Sequence, residues 1–363
     1  MGVELMQMPA TGRWSQPLTI FHTPVHALHQ PGLLGALGGW RPSRDDPWRI
    51  HGMLGALAAA GLQPQALPAP GREVFDAVER VHHPRYLDFL AHAHAQWVQI
   101  PGASSEVHAN VFAMRSPGTG YPSSVVGRAA FHFHDQLAPI GIHTWKAAIA
   151  AAHLAVAAAE VVLGGSRCSY AMCRPPGHHA YADMAGGGSY LNNAAIAAEH
   201  LRTRFARVAV IDIDVHHGNG TQDIFWQRPD VLFTSLHRSP EDYHPFFSGY
   251  AGEVGAGAGE GFTFNLPIPA GTTDAGYLSQ FDRATERIAS YAPEALVVSL
   301  GLDAHEKHPA QGLLLSDAAF AVMGRELRQL GVPTVLVQEG GYNPEVVGGS
   351  LLAFFSAWVA AVR

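Results

Sequence analysis

Lysine is almost missing from this chain. Lys146 and Lys307 are the only two, and the net charge is −7 with the 22 histidines neutral. No basic cluster exists to meet a phosphate backbone or an anionic lipid surface, so neither nucleic acid nor a membrane is expected as a partner. Cysteine is equally scarce. Cys168 and Cys173 are too few for a disulfide framework, and their odd spacing would set them on opposite faces of a strand, so a reducing, cytoplasmic setting is expected. The opening stretch MGVELMQMPATGRW lacks both a basic n-region and an apolar h-region. The most apolar long segment, residues 147–163, is alanine-dominated and carries His153 and Glu160, which reads as a buried helix rather than a membrane span. No linker divides the chain and no repeat recurs along it.

What is present is apolar bulk. At 363 residues and 47% hydrophobic the chain can bury a large core, and the whole of 1–363 reads as one domain. Residues 1–50 show little periodicity beyond a short strand at 18–21. A helix is expected over 50–62 and a longer helical region over 72–97, interrupted at Pro84. Residues 99–142 read as a long irregular loop, of the length usually kept for function or interfaces. Helix and strand then alternate: helices at 144–163, 193–203, 275–291, 316–330 and 344–362, and strands at 169–173, 208–211, 231–235, 262–266, 295–300 and 334–337. That alternation predicts an α/β fold with a mostly parallel central sheet covered by helices on both faces.

In such sheets ligands gather beyond the carboxyl ends of the strands. Four of the expected strands run into polar segments: RPPGHHA at 174–180, DIDVHHGNG at 212–220, GLDAHEKHP at 301–309 and EGGYN at 339–343. The second is the most pointed. Asp212, Asp214 and His216 recur every second residue, so on a continuing strand they would share one side, with Gly218 and Gly220 then turning the chain. Two carboxylates and an imidazole at the end of an apolar strand are costly to desolvate unless a cation holds them. Asp214, His216 and Asp303 together offer a donor set suited to one Zn²⁺ with room for water and a substrate oxygen, a site for hydrolysing an amide. His179 is the expected general base and acid, His178 its electrostatic partner held by Asp212, and Asn219 the neutral partner of His179. Tyr342, on a glycine-flanked turn, can donate its hydroxyl to a developing oxyanion.

These motifs, in this order, resemble the zinc-dependent histone deacetylase superfamily, most nearly its bacterial acetylpolyamine amidohydrolase branch and the class II histone deacetylase-like amidohydrolases. The resemblance runs from about Val74 to the C-terminus and includes NVF, GGGSYLNNAAIAA and GAGAGEGFTFNLP. It implies the metal ligands and catalytic residues just named, and a structural K⁺ at Asp212, Asp214, His216, Ser235 and Leu236, partly through backbone carbonyls. It also implies a substrate pocket at Gly187, Gly188, Ser189, Gly340 and Gly341, a small-molecule or acyl-lysine substrate, and a homodimer or homotetramer built on the 99–142 loop. Three departures stand out. Gly188 replaces a large aromatic and should widen the acyl tunnel. Val126 stands where the polyamine branch carries an acid, which weakens the expected preference for a polycation. His308 replaces an acid and, with His305, is expected to decorate the rim. Two other readings compete: a two-manganese ureohydrolase, suggested by Asp303-Ala304-His305, and a protein that binds acylated ligands without turning them over.

Overall fold

The structure, a computed structural model, describes residues 18–116 and 118–360. The N-terminal stretch read as lacking a leader lies largely outside them, as does the expected helix end at Val362. Eight strands make one parallel sheet. In spatial order they are β4 (Gln65–Ala66), β1 (Thr19–His22), β5 (Cys168–Ala171), β10 (Thr334–Gln338), β9 (Ala295–Leu300), β6 (Val208–Asp212), β7 (Val231–Arg238) and β8 (Thr263–Ile268). The central strands are apolar throughout because both faces are covered. Val208, Val210, Val297 and Val335 point into one core, with α2 (Arg72–Glu79), α3 (Pro84–Trp97), α5 (Thr144–Leu163) and α6 (Asn193–Leu201). Ala209, Ile211, Val298 and Leu336 point into the other, with α1 (Trp48–Ala59), α8 (Asp274–Tyr291), α9 (Asp317–Gln329) and α10 (Val347–Ala360).

The alanine-rich segment is α5, and its bulk is buried. Among the described residues it is the one helix long and apolar enough to cross a membrane, yet twelve of its residues pack inside the fold. Both cysteines are free and buried, Cys168 in one core and Cys173 in the other.

Four features depart from the pattern read in the sequence. A hairpin, β2 (Leu33–Ala36) with β3 (Gly39–Pro42), occupies the region with little periodicity. The 99–142 segment is not irregular throughout: α4 (Val125–His132) forms where Ser124 Oγ caps the Gly127 N–H at 3.2 Å and Val125, Ala129 and Ala130 find the core. β6 ends at Asp212, so Asp214 and His216 lie on the loop beyond it. The glycines after His217 do not simply turn the chain, because α7 (Asn219–Phe225) begins there.

Burial sets the pH range of the fold. His82 accepts the Asn192 N–H through Nε2 at 2.9 Å and faces the Ala182 carbonyl through Nδ1 at 3.3 Å, an arrangement only the neutral ring satisfies. Burial pushes its pKa down to about 4, and does the same for His29, His132 and His237. Their stabilisation is complete above the unfolded value of 6.5 and is lost as pH falls toward 4, since only the unfolded chain gains protons in between. Denaturant titrations at pH 7 and pH 5 should show that loss, with His82→Gln diminishing it by about 2 kcal/mol.

Candidate active site

Five adjacent strands, β5, β10, β9, β6 and β7, aim their carboxyl ends at one place. The register puts Asp212 beside Ser299 on one neighbour and Ser235 on the other, so the loops that follow leave the sheet at the same level. Ligand atoms of Asp214, His216 and Asp303 lie within 4.8 Å of one another, and both carboxylates are fully buried. Among the described residues no other group of three acidic, histidine or cysteine side chains meets so closely. Backbone N–H groups fix the carboxylates: Gly340 donates to Asp214 Oδ2 at 2.8 Å and Val215 to Asp303 Oδ1 at 2.9 Å. Asp303 Oδ2 is left buried with no hydrogen bond, 3.3 Å from His216 Nδ1. Such an orphaned oxygen, a second carboxylate and an imidazole are what a divalent metal needs, and the residues fit one. Burial opposes a proton on His216, but Tyr243 and the two carboxylates outweigh it and raise its pKa well above 6.5, so in the absence of a cation the proton takes that place.

The tandem histidines diverge as the sequence suggested. His178 Nδ1 meets Asp212 Oδ2 at 2.9 Å, whereas His179 Nδ1 meets Asn219 Oδ1 at 2.6 Å. Asn219 Nδ2 donates to the Tyr181 hydroxyl, so its oxygen is the atom turned to His179, which therefore carries its proton on Nδ1 and keeps Nε2 as an acceptor. Burial disfavours charge on both rings. At His178 the Asp212 and Asp214 carboxylates prevail and push the pKa up to about 10. At His179 burial is reinforced by His178, His244 and His216, and the pKa falls well below 6.5. Two neighbouring imidazoles thus hold opposite charge states.

Tyr342 follows β10 on the turn Gly340-Gly341. A Cβ at Gly340 would stand 2.2 Å from Asp303 Oδ2 and 2.6 Å from Asp214 Oδ2, so only glycine lets this turn pass the carboxylates. Burial raises the Tyr342 pKa far above 10, keeping the hydroxyl a donor. Two residues that sequence reasoning missed hold this corner. The Arg49 guanidinium lies 5.2 Å over the Tyr342 ring and donates to the Glu339 carbonyl, and Asp45 binds it and Arg174 at 2.9 Å each. The Glu339 carboxylate accepts the Gly177 and His178 N–H groups, and burial raises its pKa to about 7.

On the other side the loop after β7 contributes Tyr243, whose ring stacks on His216 at 5.1 Å, and His244, 4.9 Å from His179. Neither gave a sequence signal, being single residues in SPEDYHPFF. Asp135 likewise binds His244 Nε2 at 3.2 Å and the Gly187 N–H at 2.8 Å. Gly187 and Gly188 both have positive φ. A Cβ at Gly187 would enter the His179 ring, whereas at Gly188 nothing lies nearer than 3.9 Å, an open wall in keeping with a widened pocket. Ser189 Oγ accepts the His179 N–H, and Gly341 also has positive φ. Ser235 and Leu236 lie on β7 beside Asp212, Ser235 Oγ being engaged by His237. His305 and His308 do not decorate the rim. They are 4% and 2% exposed and accept the Lys307 and Ala310 N–H groups, bracing their own loop.

A parallel sheet whose carboxyl edge gathers buried carboxylates, paired imidazoles and a tyrosine defines an α/β hydrolytic enzyme. The histone deacetylase domain matches residues 43–358. The acetylpolyamine amidohydrolase of Burkholderia pseudomallei (strain 1710b) is 40% identical over 348 residues, covering 94% of this chain and 99% of that protein. That of Mycoplana ramosa is 38% identical over 308 residues, covering 85% and 89%. A crystal structure of the Burkholderia pseudomallei acetylpolyamine aminohydrolase superposes with a TM-score of 0.89 at 39% identity, covering 95% of this chain and 99% of that one. This chain belongs to the histone deacetylase family, enzymes that hydrolyse amide bonds. The ureohydrolase and binding-protein readings are set aside with it.

Replacing Gly340 with Ala should displace both carboxylates. Equilibrium dialysis against a divalent metal should show affinity down by about tenfold or more, with the circular dichroism spectrum unchanged.

Proposed function

We propose that this chain is a zinc-dependent amidohydrolase that cleaves the amide of an N-acylated amine, with acetylated polyamines as leading candidates and bulkier acyl groups admitted beside Gly188. The observation that carries this is the opposed pairing of His178 with Asp212 and His179 with Asn219, next to the Asp214, His216 and Asp303 cluster. Zinc bound to those three side chains would polarise the acyl carbonyl and acidify water. His179, neutral and with Nε2 free, takes the proton of the attacking water and then delivers it to the leaving nitrogen. His178 remains charged beside Asp212 and favours the negative charge that develops at the acyl carbon's oxygen. Tyr342 donates its hydroxyl to that oxygen, with Arg49 and the Gly340-Gly341 turn fixing its ring. A structural K⁺ at Asp212, Asp214, His216, Ser235 and Leu236 belongs to the same reading, supported by the β6 and β7 register that sets Asp212 against Ser235.

The test is turnover of acetylputrescine, acetyl-lysine peptides and acyl anilides by zinc-loaded protein. His179→Ala should reduce kcat by about 10²- to 10⁴-fold with zinc retained, and Tyr342→Phe by about 10²- to 10³-fold. Asn219→Asp should move the acidic limb of the kcat/KM profile to higher pH, because a carboxylate favours a proton on His179. Wild-type enzyme that turns over no amide on the panel sinks the proposal.

A further inference from the structure

His244 presents an imidazole edge to His179, at 4.9 Å between ring centres and 82° between planes, and lies 6.0 Å from His216. It is 21% exposed, so it borders the pocket rather than filling the core. Its Nε2 is committed to Asp135 Oδ2, while its Nδ1 makes no protein hydrogen bond among the described residues. The carboxylate behind it is firmly held: Asp135 Oδ2 also accepts the Gly187 N–H, Oδ1 accepts the Leu137 N–H at 2.8 Å, and His134 Nδ1 stands 3.6 Å away. Asp135 therefore ties together the loop after β7, the Gly187-Gly188 turn and the chain leaving α4. A carboxylate that accepts from one ring nitrogen selects the tautomer whose other nitrogen is an acceptor.

We propose that His244, oriented by Asp135, is a specificity-determining residue: it offers a hydrogen-bond acceptor backed by negative charge to the amine side of the substrate, and so favours acylated amines bearing N–H groups and positive charge over neutral, lipophilic amides. This rests on the amide-hydrolase reading above. His179 hands its proton to the leaving nitrogen, so a ring in edge contact with it lies beside the amine and its chain rather than beside the acyl group. A phenyl ring at this position would leave the wall apolar, and the wide opening at Gly188 would then have little to discriminate by charge.

The experiment compares acetylputrescine with N-butylacetamide, which has the same chain without the ammonium, on zinc-loaded wild type, His244→Phe and His244→Gln. His244→Phe leaves Asp135 its two backbone donors and should fold. It should raise KM for acetylputrescine by about tenfold, the weight of one charge-assisted hydrogen bond, with kcat nearly unchanged and KM for N-butylacetamide equal or lower. His244→Gln, which can donate to Asp135 and still present an acceptor, should restore part of the preference. Asp135→Asn, judged by the same ratio, should behave like His244→Phe. Equal changes for both substrates, or none, overturn the assignment while leaving the amidohydrolase reading intact. No turnover of either substrate by the wild type removes both.

Discussion

Two carboxylates, Asp214 and Asp303, are held side by side with no exposure to water, and the rest of the molecule is arranged around that repulsion. Left alone, such a pair would take up protons or draw in water. Here each keeps one oxygen on a backbone N–H, His216 stands between them, and the Gly340 turn closes over them without a side chain to push them apart. The cluster is rigid because four separate loops would all have to move to relax it. Its consequences spread outward. Asp214 helps keep His178 charged, a charged His178 helps keep His179 neutral, and Asn219 rather than an acid completes the second pair.

The sheet explains why such distant residues meet. Parallel strands deliver all their carboxyl ends to one edge, and β5, β10, β9, β6 and β7 are neighbours there although separated widely in the chain. Crossing helices supply the two hydrophobic layers that hold the strands level. The Asp212 register with Ser299 and Ser235 sets the height from which the loops depart.

Much of this was legible because the signals are local. Apolar runs of five or six residues ending in Asp, His or Gly marked the strands and their tips, and Asp212, Asp214, His216, His178, His179, Asp303 and Tyr342 all sit at such tips. Where the pattern was broken by short polar segments, reading failed: Gly218 and Gly220 concealed α7, and proline and glycine around residues 117–122 concealed α4. Arg49, Asp135, Tyr243, His244 and Glu339 were missed for another reason. Each is an isolated polar residue whose partner is remote in sequence, Asp135 and His244 being 109 positions apart, and no spacing rule registers a contact made only in three dimensions. His305 and His308 were misjudged in the opposite sense, since polar residues near a site suggest a wet rim until burial is known.

The parallel sheet has a second edge, where the helices hand back to the strands through the short turns at 164–167, 202–207, 292–294 and 330–333. None of the groups described above lies on it. Because every strand runs the same way, chemistry and connection are kept a full strand length apart. A label, tether or immobilising support fixed to that far edge would therefore leave the mouth of the pocket open, and chain length added or removed there would alter how the protein is carried without altering what it does.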